Sequence, residues 1–222
     1  MNNEEAENSD IKEQRFDNEE SGTMNTQKLK VAFALNLIVV VLEVYATANS
    51  LTHFKMNMFQ YYTIDSNIIA MFSSLFYVCF YKKQKPLALA IFRLLAAVNL
   101  SLTFLIVLFV LSPSMGGIYV VMFQGNSLFQ HFFCPIITVI SFFFFEKDIT
   151  TVKGMWRLLP LPTAVYAAIM IFLNISYVIE GPYPFLHVYE QPVWVSFLWV
   201  IAILSLISFL SWGFETLKRR LG

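Results

Sequence analysis

Two short polar stretches, YYTIDSN at residues 61–67 and NSLFQH at residues 126–131, each open a long apolar segment of this chain. An apolar segment of about 20 residues is long enough, as a helix, to cross a hydrocarbon core of roughly 30 Å. Because both stretches stand at the same end of such a segment, we expect them to lie at one depth, near the outer face of a membrane.

The same pattern recurs along the chain, whose 222 residues are 57% hydrophobic and 14% charged, with 23 phenylalanines. Backbone groups in lipid must be satisfied internally, so each apolar segment is predicted to be a helix, and the short alternating segments of a barrel are absent. The predicted fold is therefore an all-α, polytopic six-helix bundle. The six spans are expected at residues 31–50, 60–81, 87–111, 126–145, 156–178 and 193–213.

The distribution of basic residues predicts the orientation of the spans. Twelve lie in or beside the segments that connect the spans on one side, and Lys55 alone lies on the other side. The twelve are Lys28, Lys30, Lys82, Lys83, Lys85, Arg93, Lys147, Lys153, Arg157, Lys218, Arg219 and Arg220. Both termini are therefore predicted to be cytoplasmic, in a multi-pass protein of the plasma membrane.

Three regions follow from this layout: an N-terminal tail (1–27), a six-helix transmembrane domain (28–215) and a basic cytoplasmic tail (216–222). The N-terminal tail carries eight acidic residues against Lys12 and Arg15. Its polar composition is typical of a disordered segment. We expect membrane lipids as partners, no nucleic acid, no cofactor and no metal.

Polar residues inside the spans are the candidate functional residues, because ionisable groups in lipid are costly. At a rise of 1.5 Å per residue, Thr63, Asp65, Asn67, His131 and Glu43 lie about 5–10 Å below the outer surface. Thr103 lies slightly deeper, at about 12–15 Å, by the same rule. The sequence predicts no comparable polar set in the inner half.

A hydroxyl, an imidazole and a carboxylate at one depth are suited to nucleophilic catalysis. His131 is the natural base for the Thr63 hydroxyl, which is a weak nucleophile alone. Glu43 or Asp65 could orient the imidazole. A developing oxyanion needs a donor, for which Asn67 and Asn126 are candidates. At this depth, the bond within reach is in the ester region of a lipid.

Three of these residues also have structural interpretations. The Thr63 side chain could cap a helix. His131 could form a hydrogen bond that only holds two helices together. Glu43 could be protonated and form a hydrogen bond to a neighbouring helix. Arg93 is expected to extend along its helix to the cytoplasmic interface.

Asp65 could pair with Lys55 or favour the start of its own helix. The outward loops at 112–125 and 179–192, the second containing Tyr183, are apolar and could fold over the bundle as lids or pack at the interface.

Metal and disulfide sites are less well supported. A zinc site built from His53, His131 and His187 with Glu43 or Asp65 is conceivable by residue type. Cys79 and Cys134 are predicted at different depths, too far apart for a disulfide. The chain has no HExxH, P-loop, GxSxG or GxGxxG motif.

At three places the chain resembles a group of bacterial six-helix membrane proteins. These are the aromatic-Tyr-Thr-Ile-x-Ser-Asn opening of helix two (61–67), His-x-x-x-Pro in helix four (131–135) and Pro-Tyr-Pro-Phe-Leu in the last outward loop (182–186). The resemblance covers about residues 28–215. That group is distantly similar to the androgen-induced and androgen-dependent hydrolases, which cleave fatty acid esters of hydroxy fatty acids with a Thr and a His. The resemblance implies Thr63 as nucleophile and His131 as base.

The leading hypothesis is thus a threonine-dependent hydrolase of lipid esters with its site in the outer leaflet. The alternative is a non-enzymatic membrane protein, either a small transporter or a lipid-binding or sensory protein whose buried polar groups only fix helix packing.

Overall fold

The computed structural model describes the backbone of residues 3–221 and the side chains of residues 25–221. The chain is 80% helix, and no strand occurs among the described residues. Six long helices follow one another in these residues. They are α1 (Asn3–Phe54), α2 (Tyr62–Cys79), α3 (Leu87–Ser114), α4 (Leu128–Phe145), α5 (Leu161–Ile175) and α6 (Val193–Leu221).

Five segments of the described chain are long and apolar enough to cross a membrane. They are Asn25–Gln60, Leu87–Ser114, Leu128–Phe145, Met155–Ile175 and Val193–Leu221. Helix α2 is as long as the segment Leu128–Phe145, at 18 residues, but it is more polar, because its inward face carries the buried residues Ser66, Asn67, Ser73 and Ser74. The chain is therefore a membrane protein with five apolar helices, and the sixth crossing remains a prediction.

Helix α1 begins at Asn3, so its backbone is helical through most of the segment expected to be a disordered tail. Residues 1 and 2 and the side chains of residues 3–24 lie outside the described part of the chain. The assignment of residues 1–27 as a separate acidic tail therefore stays a prediction.

Helix α3 is the centre of the bundle. Leu94, Ala97, Val98 and Leu102 are fully or almost fully buried, and α2, α4 and α6 pack around this helix. In contrast, α6 buries only four of its residues and exposes large apolar side chains. An exposed apolar surface of this size is the normal outer face of a helix that contacts acyl chains.

The basic connecting segments meet at one end of the bundle. Lys85, which precedes α3, forms an ion pair with Asp148 after α4, at 3.0 Å. Near the end of α6, the Glu215 carboxylate accepts the backbone N–H groups of Gly154 and Trp156, each at 2.8 Å. This arrangement agrees with the predicted common side for these segments, and the assignment of that side to the cytoplasm stays a prediction.

Helix α4 changes its winding around Pro135. Residues Leu128–Phe133 form a wide π-helical turn, in which the N–H of Cys134 donates to the carbonyl of Phe129. The next bond of this register would run from residue 135 to the Gln130 carbonyl, but proline has no N–H. The side chain of Asn67 supplies the missing donor at 3.1 Å, so α2 completes the hydrogen bonding of α4.

Candidate functional site

A partly enclosed apolar cavity of about 60 Å³ lies between α2, α3, α5 and α6, below the last outward loop. Most of its wall is aliphatic and aromatic, with Leu102, Ile106, Ile203 and Trp199 as examples. Six residues bring hydroxyl groups to this wall, and they come from four different parts of the chain. These residues are Tyr62, Thr63, Thr103, Thr163, Tyr166 and Tyr183.

Thr63 is buried on this wall, in the first turn of α2, and its side chain does not cap the helix. Its backbone N–H donates to the hydroxyl oxygen of Tyr183 at 3.2 Å. This N–H is one of the donors that a helix start leaves without an internal partner. Tyr183 therefore holds the outward loop onto the start of α2, directly beside Thr63.

Two further hydroxyl pairs fix the walls of the cavity. Ser66 and Thr103 approach each other at 2.9 Å between α2 and α3, and Ser66 also donates to the Thr63 carbonyl at 3.0 Å. Tyr62 and Thr163 meet at 2.7 Å between α2 and α5. The Thr63 backbone is consequently held in place from three sides.

The loop that contains Tyr183 folds back over the bundle. Tyr183 and Leu186 are both buried, although the loop is only a connection between α5 and α6. Burial raises the pKa of Tyr183 to about 12, more than its contact with Thr63 lowers it. Tyr183 therefore keeps its proton at neutral pH and serves as a hydrogen-bonding group rather than a base.

His131 lies in the π-helical turn of α4, and it is held by the other outward loop. Its Nδ1 donates to the Val121 carbonyl at 2.5 Å, which leaves Nε2 as the ring nitrogen that can accept a proton. His131 is not on the wall of the Thr63 cavity, and no hydrogen bond joins the two residues in the described part of the chain. The structure thus brings Thr63 together with Thr103 and Tyr183, but not with His131.

Asp65 and Asn126 have positions away from the cavity wall. Asp65 lies in the first turn of α2, where negative charge is favoured, and it forms no ion pair with Lys55 among the described residues. Asn126 donates to the Ala46 carbonyl at 2.8 Å and to the Ser50 hydroxyl at 2.9 Å, so it joins α1 to the start of α4.

The three histidines do not converge on a metal site. Among the described residues, only His187 belongs to a group with metal-ligating potential, together with Glu180 and Glu190 on the outward loop. His53 instead contacts the Asn49 carbonyl on its own helix. The structure therefore gives no support to the conceivable zinc site of His53, His131 and His187.

Glu43 is fully buried on α1, and neither of its carboxylate oxygens has a hydrogen-bond partner among the described side chains. It lies beside the Cys134 thiol and the Gln130 amide of α4. Cys134 is free, as is Cys79, which confirms the prediction that no disulfide joins them. Glu43 thus faces α4 and not the cavity beside Thr63.

The prediction that the inner half of the bundle has no comparable polar set was wrong, because a buried polar cluster lies there around Arg93 and Glu146. Arg93 is completely buried and binds Glu146 through two bonds, from Nε at 2.9 Å and from Nη2 at 2.6 Å. Its Nη1 donates to the hydroxyls of Ser73 and Ser74 on α2. The prediction that Arg93 extends to the interface was wrong, because Glu146 neutralises its charge inside the protein.

Helices α1, α4 and α6 complete this cluster. Asn36 and Ser141 donate to Glu146 Oε1 at 2.9 and 2.7 Å. Lys218 Nζ donates to the backbone carbonyls of Glu146 and Phe142, at 2.7 and 2.5 Å. The sequence did contain a signal for this cluster. Arg93 lies six residues inside an apolar span, and a charge at that depth needs a partner of opposite charge.

Comparison with known proteins adds no assignment. No protein-family model matches the chain, and no curated protein or solved structure matches it. The function therefore has to be argued from the residues and their geometry.

Proposed function

We propose that this protein is a threonine-dependent hydrolase of lipid esters, with Thr63 as its nucleophile. The observation that carries the proposal is the position of Thr63 as a polar residue on the wall of an apolar cavity, under the folded-back loop at Tyr183. An apolar cavity with few placed polar groups is the usual form of a small-molecule site. Here its aliphatic wall is suited to part of an acyl chain, and Thr63 to the ester group.

In the reaction, the Thr63 hydroxyl oxygen attacks the ester carbonyl, and its proton passes to His131 Nε2 directly or through a water. The carbon–oxygen bond to the alcohol then breaks, and the imidazolium returns the proton to the leaving alkoxide. A water molecule hydrolyses the acyl–threonine ester by the same route, which releases the fatty acid and regenerates the hydroxyl. The contact of Nδ1 with Val121 supports this role, because it leaves Nε2 as the basic nitrogen.

A coupling between α2 and α4 also supports the pair. Asn67 donates to the carbonyl of Thr63 at 2.7 Å and to that of Gln130, the residue before His131, at 3.1 Å. The backbones that carry the two proposed catalytic residues are thus linked by one side chain. Since Nε2 and the hydroxyl are not hydrogen-bonded to each other, we expect substrate binding to bring the loop at Val121 and the His131 ring closer to Thr63.

The proposal includes a sixth crossing by α2, cytoplasmic termini and a plasma membrane location. These rest on the basic residues at one end of the bundle and on the expected outer-leaflet depth of Thr63. Lipids are then the partners, and the ester reaches the cavity from the surrounding leaflet.

Labelling with a fluorophosphonate probe in membranes tests the nucleophile. Wild type is expected to be labelled. In Thr63→Ala the rate of labelling should fall by at least about 100-fold, as is typical when a nucleophile or its activating base is removed. Thr63→Ser keeps the hydroxyl and should keep part of the labelling, and His131→Ala should slow it by about 100-fold or more. Thr52→Ala, at an exposed threonine near the same end of the bundle, is the matched control. Labelling that persists in Thr63→Ala would remove the assignment.

The alternative, a non-enzymatic transporter, is favoured by one observation, the unpaired carboxylate of Glu43 in the bundle interior. If the wild-type protein is not labelled at all, while its thermal stability in different cations changes in Glu43→Gln, the result would support this alternative over hydrolysis.

A further inference from the structure

Unpaired polar atoms are concentrated in one part of the bundle interior. Of the eleven buried side-chain nitrogen and oxygen atoms without a partner in the described chain, all except Thr151 Oγ1 lie on α1, α2, α3, α4 or at the start of α4. These ten atoms belong to Asn36, Glu43, Thr47, Asn67, Asn99, Asn126, Gln130 and Thr138. An unpaired buried polar group costs about 1–3 kcal/mol, and more when it is charged, so this concentration needs a physical explanation.

Glu43 is the only ionisable residue among them. It is 0% exposed, and none of the ion pairs in the described chain involves it. The Cys134 thiol and the Gln130 amide lie against its carboxylate, but neither reaches good hydrogen-bond geometry, so no cation and no full hydrogen bond balances its charge. Arg93, a buried cation of the same bundle, is fully engaged with Glu146 and two serines. A lone buried carboxylate must be neutralised or bound by something else.

The position of Glu43 along the bundle is fixed by contacts above and below it. Seven residues towards the inner end, Asn36 bonds to Ser141 and Glu146. Seven residues towards the outer end, Ser50 accepts from Asn126. At 1.5 Å per residue, Glu43 lies about 10 Å from each of these contacts, in the middle of the α1–α4 interface.

Unpaired oxygens on the same interface surround the Glu43 level. Thr47 lies one turn from Glu43 on the same face of α1, and Thr138 lies one turn from Cys134 on α4. Asn67 reaches this level from α2, since its amide nitrogen bonds to the Gln130 carbonyl while its Oδ1 stays unpaired. Carboxylate, hydroxyl and amide oxygens are the donor types that hard cations prefer.

We propose that Glu43 is the centre of a buried site for a monovalent cation, either a sodium ion or a proton. One carboxylate balances one positive charge, and the described chain offers no second free carboxylate at this level for a divalent ion. The Asn67 Oδ1 supplies a further oxygen to a sodium ion, and Thr138 and Thr47, about one turn to either side, hold the waters that complete its shell or deliver a proton. This site is separate from the Thr63 cavity, whose wall does not include Glu43.

The titratable groups that face Glu43 are few. Helix α4 presents the Cys134 thiol and the uncharged Gln130 amide, and no charged residue of the described chain forms an ion pair with the carboxylate. A dependence on sodium or on pH that disappears with Glu43→Gln can therefore be assigned to this carboxylate.

Thermal unfolding of the full-length protein in lipid nanodiscs tests the site. With potassium or choline replaced by sodium at constant ionic strength, wild type should show a saturable rise of its melting temperature. The rise should reach roughly 5–10 °C when sodium is at about 100 times its dissociation constant. Glu43→Gln has nearly the same shape and should remove the sodium effect. Glu13→Gln, in the acidic N-terminal segment at residues 1–27, is the control and should retain it.

Infrared difference spectra of the same samples distinguish the two cations. If the site holds a proton, wild type shows the carbonyl band of a protonated carboxylic acid, which is absent in Glu43→Gln, and sodium has no effect on melting. If it holds sodium, the band is weak in sodium and grows when sodium is removed.

A second variant keeps the test decisive if Glu43→Gln fails to fold. Thr138→Val removes one unpaired oxygen at constant shape and should weaken sodium binding several-fold while the protein remains folded. A melting temperature and a carboxylic acid band that respond equally to sodium and pH in wild type, Glu43→Gln and Thr138→Val would overturn the proposal. Labelling of Thr63 is a separate readout, so either proposal can fail alone.

Discussion

The bundle has two buried polar layers, an inner one around Arg93 and Glu146 and a middle one around Glu43, and they differ in how completely their polar atoms are hydrogen-bonded. In the inner layer, neither charged group, Arg93 or Glu146, has an unpaired nitrogen or oxygen, and Asn36 Oδ1 is the one unpaired atom among the neighbours that bond to Glu146. In the middle layer, Glu43 leaves both oxygens unpaired, although it is as deeply buried. A completed set of hydrogen bonds indicates a structural role, and an incomplete set indicates a place where something else binds.

The largest expected loss of stability comes from a substitution that disrupts the inner layer. Arg93→Met leaves the Glu146 carboxylate buried without its counter-charge, which should lower the free energy of unfolding by about 3–5 kcal/mol. Denaturant titration in mixed micelles, followed by tryptophan fluorescence, measures this loss. The double variant Arg93→Met/Glu146→Leu should recover part of it, because no lone charge then remains. A stability of Arg93→Met within about 1 kcal/mol of wild type would contradict a structural role.

A smaller effect is expected in the middle layer, where Asn67 contacts α4. Asn67→Leu deprives the Gln130 carbonyl of its donor and should cost about 1–3 kcal/mol. Pro135→Ala restores a backbone N–H beside that carbonyl, so the cost of Asn67→Leu should be smaller in this background. A double-mutant cycle on unfolding free energies measures the coupling. Strictly additive losses would show that Asn67 does not compensate for the proline.

The smallest expected effect is that of the ion pair between His187 and Glu190 on the last outward loop. Because Glu190 is exposed to solvent, this pair is a reference for the two buried layers. Partial burial alone lowers the pKa of His187, but its contacts with Glu190 and the Gly181 carbonyl outweigh this and raise it. The imidazolium therefore stabilises the folded state below the unfolded pKa of about 6.5, and this contribution is lost as the pH rises through the higher folded pKa.

Since Glu190 is largely exposed, the contribution of this ion pair should be less than about 0.5 kcal/mol. Stability measured from pH 5 to pH 8 in wild type and in Glu190→Gln isolates it. A larger dependence that survives in Glu190→Gln would have to come from another group.

Much of the fold was predictable from apolar segment lengths and from the positions of the basic residues. Hydropathy placed five spans near their observed positions, because lipid contact requires long apolar helices. The distribution of basic residues predicted that Lys85 and the segment around Lys147 lie on the same side of the membrane. The ion pair of Lys85 with Asp148 agrees with this, because it joins these two segments. Helix α2 is the exception, since its polar face is satisfied by other helices and a hydropathy sum cannot register that.

The candidate site was less predictable, because depth along a helix does not determine which way a side chain points. Thr63 and His131 were placed at similar depths, yet Thr63 faces α3 and the Tyr183 loop while His131 faces Val121. Glu43 turns towards α4. The partnership of Arg93 with Glu146 joins residues 53 positions apart, which a local pattern does not reveal.

The most direct test of this contrast is an experimental structure in lipid, at a resolution that shows ordered solvent and ions. The account predicts density for a sodium ion or a water within about 3 Å of the Glu43 carboxylate, and none between Arg93 and Glu146. A Glu43 carboxylate paired directly with side chains of its own chain, with no ion or water beside it, would contradict the account.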